Sequence, residues 1–499
     1  MKNLIYKKNI KCGKSGFATF EILLAMALII SVITVILPLL AGEQSLTIAS
    51  ETDQEATYKA KELLENARAA SVLDFNSVAS IPIGPDTDPF YNKSLDVEDI
   101  DSFTKKVTSN VSWNNGSQNL SVNLTTLLTQ VNIGGDTCNP VLTGDWTDPQ
   151  KLGSVDVGES NGATDVDVIS KKAYLTSIPN ANNKPNFYIV DVSDPNNLIP
   201  KGSIDTNGPS NKVGLAAVHV AGRYAYVANM SLSSQLQVID ISDPDNPIEI
   251  VGARRDVVTL PGDTAVGNSI FYANRKIYLG LEKSAGPEFY VFDVTDPESP
   301  TQLGTGFEVN TLISQIYVKD DVAYIATPDD FDTAFPSTEH LRILDVSNPA
   351  SISEISIYGE SNTAIQDGKS LFYKDGIVYL GRASDDDTRD ELIVLDVNNP
   401  SSITKLGGKS IDDSPRAWSA NAIVIRSNFA FIVTRDNPNS EFQVWDITNP
   451  TNITLHNDDP PQQPLNVVQA STGGMDCDGN LFYIAQRSND ALQIVGPGE

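Results

Sequence analysis

The sequence predicts a mainly β chain: a seven-bladed β-propeller preceded by a long N-terminal α-helix and a small α+β region. Three observations predict it. The motif Asp-x-Ser/Thr-Asp/Asn-Pro and close variants recur from Asp145 through Asp191, Asp240, Asp293, Asp345 and Asp396 to Asp446, at spacings of 46, 49, 53, 52, 51 and 50. A second pattern, two short apolar stretches around a tight polar turn, recurs seven times from Val166 to Tyr483. Ahead of both, an uncharged run from Ile22 to Gly42 leads into an alanine-rich helical pattern.

The N-terminal segment comes first. A basic leader (Lys2, Lys7, Lys8, Lys11, Lys14) precedes Gly16, and Ile22–Gly42 carries no charge. About twenty such residues span a bilayer as a helix, and the one-sided lysines keep that end cytoplasmic. A secretory signal would place its small-residue cleavage site after the apolar run; here Gly16 stands before it. Glu21 lies at the edge of the run, where a carboxylate is costly.

Gly16-Phe17-x-x-x-Glu21 resembles the class III signal of type IV pilins and pseudopilins. The resemblance implies cleavage after Gly16 by a prepilin peptidase, N-methylation of Phe17, and pairing of Glu21 with a neighbouring subunit's amino terminus in the filament. Pro38 then falls where many members carry proline, loosening the helix by removing a backbone donor. The implied course is a single-pass precursor in the cytoplasmic membrane, then an extracellular filament or cell-surface position among other pilins.

Residues 43–73 continue the helix. Ala49, Asp53, Ala56, Ala60, Leu63, Ala67 and Ala70 recur at three- and four-residue steps, a narrow stripe of mostly small residues. Glu55/Lys59 and Lys61/Glu65 stand at i,i+4, where opposite charges support a helix. Residues 17–73 as one helix would reach roughly 85 Å at 1.5 Å per residue. Pro82, Gly84, Pro85 and Pro89 stop it. Alternating residues on either side of Asn114-Asn115-Gly116 predict a hairpin, and their wording resembles the end of minor pilins. The expected domains are 1–16 leader, 17–73 helix (apolar 17–42, amphipathic 43–73), 74–137 small pilin-like β region, and 138–499 propeller.

In the repeat region, the strand before each Asp motif, a weaker one after it, and the two of the second pattern make four strands per unit. A period near fifty with four strands describes propeller blades. The Val-hydrophobic-Asp-Val-Ser-Asp-Pro wording resembles LVIVP-repeat propellers over 141–496. An outer strand near Lys151–Val157 and three strands between Gly474 and Val495 are expected to share one blade and close the ring. The Asp motif itself reads as a turn, its Asx side chains capping their own backbone.

Cys12 lies in the leader, which leaves Cys138 and Cys477. An even pair in an exported chain suggests a disulfide; two buried free thiols are the alternative. The net charge of −29, or −34 without the leader lysines, excludes nucleic acid and anionic surfaces as attractive partners. Three scattered histidines give little support to a histidine-dependent or zinc site.

Strand direction puts the turns between strands 1–2 and 3–4 on one face, and the longer 2–3 and interblade loops on the other. Binding residues concentrate on variable loops held by a rigid scaffold, so this second face is the expected binding face. Arg254, Arg255, Arg416 and Trp418 are its candidate ligand contacts, for a surface glycan or protein. Asp385, Asp386, Asp387 and Asp390 form an acidic loop able to offer calcium its oxygens; Arg389 interrupts it, and no other cofactor is expected. The expected function is a low-copy or tip subunit of a pilus-like fibre that displays the propeller for adhesion or interaction, without catalysis. Two alternatives are a secretion-system pseudopilin with a cargo-binding propeller, and a surface-anchored enzyme, which a convergent cluster of acids, bases or histidines in the central funnel would favour.

Overall fold

The computed structural model describes Met26, Ile30, 51–71, 75, 78–101, 104–116, 118–129, 138, 141–157, 162–179, 181–182, 184–207, 213–257, 263–328, 339–360, 366–384, 389–411, 419–434, 441–456, 465, 472–488 and 490–498. Gly16, Phe17, Glu21, Pro38, Asp385, Asp386, Asp387, Arg416 and Trp418 lie outside the described residues. Among those described, no helix is long and apolar enough to cross a membrane. The chain divides into two compact units: Met1–Asp99 with Lys105–Leu128, and Ile100–Thr104 with Thr129–Glu499.

In the first unit, residues 51–71 are helical, as their alanine, leucine, glutamate and lysine content favours. Ala56, Ala60, Leu63, Leu64 and Ala67 pack against Tyr91, Leu95, Val107, Val111 and Trp113. The stripe differs from the expected one at two places: Asp53 is exposed, and Leu64 joins the buried face. A carboxylate has no partner in an apolar core, and Leu64 follows Ala60 by one helical turn. The four strands β1 (Ile81–Pro85), β2 (Tyr91–Asp101), β3 (Thr104–Asn114) and β4 (Asn119–Thr129) form one sheet in that order. In β3, Val107, Ser109, Val111 and Trp113 alternate inward, the period-2 pattern of a half-buried strand. The segment carrying Pro82 and Pro85 does more than stop the helix. It runs along the sheet edge as β1, where a missing N–H is tolerated. Asp86 sits 2.7 Å from both Lys59 and Lys93; hydrogen bonds from these two lysines hold its carboxyl well below the usual range.

The second unit holds seven four-stranded antiparallel sheets among the described residues. In the first, Gly162–Ile169, Lys172–Ile178, Phe187–Asp191 and Ile199–Ile204 follow in order from innermost to outermost. The next five repeat this order, with innermost strands Leu215–Ala221, Gly267–Ala273, Gln315–Lys319, Gln366–Lys374 and Ala420–Arg426. In the seventh, Thr472–Asp478, Leu481–Gln486 and Leu492–Gly498 are completed by β5 (Asp145–Val155) from the start of the unit. Pairings such as Leu492↔Val155 and Ile494↔Gly153 join the two ends. Each innermost strand packs on its neighbours, and the last packs on the first. The ring is closed, and the sheets are blades of a β-propeller.

The closing strand starts earlier than expected, at Asp145 rather than near Lys151. Trp146 is the reason: it is buried edge-on against Phe431 and Phe482, which carries the strand further along the blade. Cys138 and Cys477 are joined as a disulfide, with Cα atoms 5.2 Å apart.

Two turn chemistries set the blades. Between strands 1 and 2, paired residues with positive φ (Ser170 and Lys171, Asn274 and Arg275, Asp320 and Asp321) make the tight turns whose twist matches a hairpin. Between strands 3 and 4, each motif makes consecutive Asx turns. Asp191 accepts Ser193 N–H at 3.0 Å and Asp194 accepts Asn196 N–H at 3.0 Å; Asp293 and Asp296 do the same with Thr295 and Glu298. The proline carbonyl ending such a turn seats on the outer strand of the preceding blade. Gly202 N–H donates to Pro244 O at 2.8 Å, where a side chain on Gly202 would collide.

Candidate functional site

The innermost strands surround a cavity of about 730 Å³. Its chemistry follows from one position in the repeat. Seven residues before the aromatic of each second strand (Tyr174, Tyr226, Tyr278, Tyr324, Tyr379, Phe431, Tyr483) stand Asp167, His219, Phe271, Tyr317, Phe372, Val424 and Asp476. Strand pairing sets each member of this column opposite its aromatic, from Asp167↔Tyr174 to Asp476↔Tyr483. All seven line the cavity.

The column divides into two arcs. On one side His219 and Phe271 have ring centroids 5.0 Å apart, as do Phe271 and Tyr317, while Tyr317 and Phe372 lie at 6.5 Å. On the other side, Asp167 and Asp476 are joined by Asp165, two residues before Asp167 on the same strand face. Each reaches the inner strand of the next blade. Asp476 Oδ2 accepts Val168 N–H at 2.7 Å, Asp167 Oδ2 accepts Val220 N–H at 2.6 Å, and Asp165 Oδ2 accepts Val218 N–H at 3.1 Å. An innermost strand is a sheet edge with unpaired donors, and these carboxylates satisfy some of them.

The surroundings shift these groups strongly. Burial pushes Asp165 up to about 7, against the pull of the Val218 and Val166 N–H groups. Burial likewise pushes Asp476 up to about 7. Asp167 is raised well above the usual range by burial and then by the neighbouring Asp476 carboxylate. Burial pushes His219 down to about 4, so its imidazole is neutral at pH 7. Arg426, lowered to about 10 by burial, donates to Cys477 Sγ from Nη2 at 2.9 Å and from Nε at 3.3 Å.

Metal ligation is poorly served. Among the described residues, the group of three ligand atoms within 4.8 Å of one another is Cys138, Asp476 and Cys477, and its two sulfurs are consumed in the disulfide. Chemically, the arrangement suits a cavity with an acidic wall and an aromatic wall, its histidine uncharged.

Of the residues singled out from sequence, the described Arg254, Arg255 and Asp390 do not line this cavity. Arg254 is held by Glu249 at 2.6 and 2.7 Å and by Thr206 O at 2.8 Å. Arg255 donates to the carbonyls of Pro300, Gly252 and its neighbour Arg254. Both guanidinium groups thus tie the loop to its own scaffold. Asp390 accepts Lys405 Nζ at 2.8 Å, and its carbonyl accepts the buried Arg382, so its carboxylate already has a cation. Neither cavity wall was foreseen. The signal was present as the residue following each apolar anchor of the second pattern, but orientation toward the axis is not written in one strand.

The LVIVD repeat model matches residues 181–206, 216–252, 314–360, 387–407 and 418–458, less than half of the chain. The name fits strands such as Leu392-Ile-Val-Leu-Asp396: the repeat ends in the aspartate that opens the Asx turn, not in a proline. No curated protein sequence matches the chain. Among solved structures, the computationally designed Ika8 protein is 11% identical, covering 70% of this chain and 99% of its own at a TM-score of 0.45. YCF48 from Cyanidioschyzon merolae is 9% identical, with 70% and 99% covered and a TM-score of 0.42. BamB from Moraxella catarrhalis is 14% identical, with 85% and 97% covered and a TM-score of 0.37. Likeness at this level says nothing of activity.

Proposed function

We propose that this chain is a low-copy pilin-like subunit that displays its β-propeller as a binding module at the cell surface. One observation carries the reading: Gly16-Phe17-x-x-x-Glu21 stands directly ahead of the uncharged run Ile22–Gly42. Cleavage after Gly16 leaves Glu21 as the fifth mature residue, able to neutralise the new amino terminus of a neighbouring subunit in an apolar bundle. The helix at 51–71 packed on a four-stranded sheet supports a subunit body that follows such an anchor. A large propeller on every subunit would crowd a filament, which favours few copies or a tip position.

N-terminal sequencing of the exported protein tests this. The expected first residue is a methylated Phe17, with Gly16→Ala blocking or slowing cleavage and Glu21→Ala sparing cleavage but weakening incorporation into filaments. Any other mature terminus sinks the reading. A second reading, an enzyme on the same anchor, is favoured by the three channel carboxylates raised toward neutrality, since such groups recur at catalytic sites. Turnover of any substrate that Asp167→Asn abolishes would put it first.

A further inference from the structure

We propose that the propeller channel binds a small organic cation, with its ammonium group against Asp167 and Asp476 and its apolar body against Phe271, Tyr317 and Phe372.

The carboxylates are more than backbone acceptors. Gln315 performs the same task between the fourth and fifth blades, its Oε1 accepting Leu371 N–H at 2.7 Å. A neutral side chain therefore suffices to cap an inner strand. The Asp476 carboxylate raises Asp167, a like-charge repulsion that a cation bound beside them would relieve. The Arg426 guanidinium donates to Cys477 Sγ and also interacts with Asp476, and Lys319, Lys369 and Lys374 lie on the cavity lining as well. Both carboxyls line the cavity and are raised toward neutrality, and a positive occupant would favour their ionised form.

The opposite arc gives the occupant its second property. Phe271, Tyr317 and Phe372 hold the same repeat position as the two aspartates, so they face the same cavity. Aromatic faces attract a cation and cover apolar carbon at once. A bare metal ion would use neither the aromatic arc nor the volume. The cavity of about 730 Å³ falls within the roughly 300–1,000 Å³ range of small-molecule sites.

This deepens the reading of the propeller as a binding module and does not depend on how the chain is anchored. Mature-terminus sequencing and channel binding succeed or fail separately. The test is calorimetric titration of the full-length protein in nonionic detergent at neutral pH. The probes are choline, n-butylamine, the uncharged choline isostere 3,3-dimethylbutan-1-ol, and calcium chloride. The expected result is that an ammonium probe binds at least about tenfold more tightly than the isostere. Choline ahead of n-butylamine indicates a quaternary group, and the reverse order a primary amine. Asp167→Asn/Asp476→Asn, which keeps the acceptor oxygens, and Phe271→Leu/Tyr317→Leu should each weaken that probe by about tenfold or more. The bound probe should also raise the melting temperature of the wild type and not of the Asn variant. Equal binding of the isostere, calcium binding alone, unchanged affinity in a cooperatively unfolding Asn variant, or no ammonium binding up to about 10 mM would each overturn the proposal.

Discussion

The outer turns and the channel column are both read once per repeat, yet the chain treats them oppositely. The turns keep one chemistry: aspartate accepts the N–H two residues on at 3.0, 2.9, 2.7, 2.9, 2.9 and 2.8 Å in the first six blades. The channel column holds Asp, His, Phe, Tyr, Phe, Val and Asp. A mechanical task repeated in every blade is solved the same way each time, because a turn needs only its own residues. A cavity wall is shared by all blades, so its members can differ without harming any one sheet. Within a repeat protein, sameness marks folding and difference marks the place to look for a site.

Opening the ring should have the largest effect on this contrast. Cys477→Ser removes the link to Cys138 across a separation of 339 residues, for which the chain-entropy model gives on the order of 5 kcal/mol. The urea midpoint of the propeller transition should fall accordingly, and an unchanged midpoint in oxidised protein would show that the strand pairing of β5 closes the ring unaided.

Next come the channel acids. Asp165 and Asp476, at about 7 in the fold, lie above the ~3.9 of an unfolded aspartate. A raised carboxylate contributes stability that is full below the unfolded value and lost as pH rises through the folded one. The propeller should therefore melt at lower temperature at pH 8 than at pH 5. Asp165→Asn and Asp476→Asn should each flatten that slope and raise stability at pH 8 by roughly 2 kcal/mol, about half the full linkage value because water enters the channel. A steeper slope in the variants would refute the assignment. The first unit should respond with the opposite sign, since Asp86 is lowered by Lys59 and Lys93 and loses those bonds in acid.

Smaller effects test the turns. Asp293→Ala removes a hydrogen bond to Thr295 N–H and should cost about 1 kcal/mol in chemical denaturation, while leaving any channel binding unaltered. Arg275→Gly relieves a φ of 59° that an L-residue adopts at a cost of about 1 kcal/mol. It should raise the denaturation midpoint by a comparable amount or less, because glycine also gains entropy when unfolded. A destabilised Arg275→Gly protein would mean that the arginine side chain has a task in the fold.

The blades were legible because their signals are short-range. The spacing of Asp191, Asp240 and Asp293 counts units, and the ends of the array showed which segments had to pair. The segments β1 and β2 were not read as strands: Pro82 and Pro85 mask the first, and Asp96, Glu98, Asp99 and Asp101 break up the second after Leu95. Arg254 and Arg255 were chosen as surface contacts because arginine prefers interfaces, but Glu249 and nearby carbonyls hold them within the fold.

The sequence by itself determined the repeat, its turn chemistry, the four-strand unit and the shared closing blade, since each depends on residues a few positions apart or on the count of copies. Tertiary structure alone decided that Asp167 and Asp476, from the two ends of the array, lie close enough for Asp476 to raise Asp167, and that three aromatics from intervening blades face the same cavity. Proximity across a ring depends on blade number and stagger, and a carboxyl group's charge depends on the water that other blades exclude. No stretch of chain carries either quantity alone.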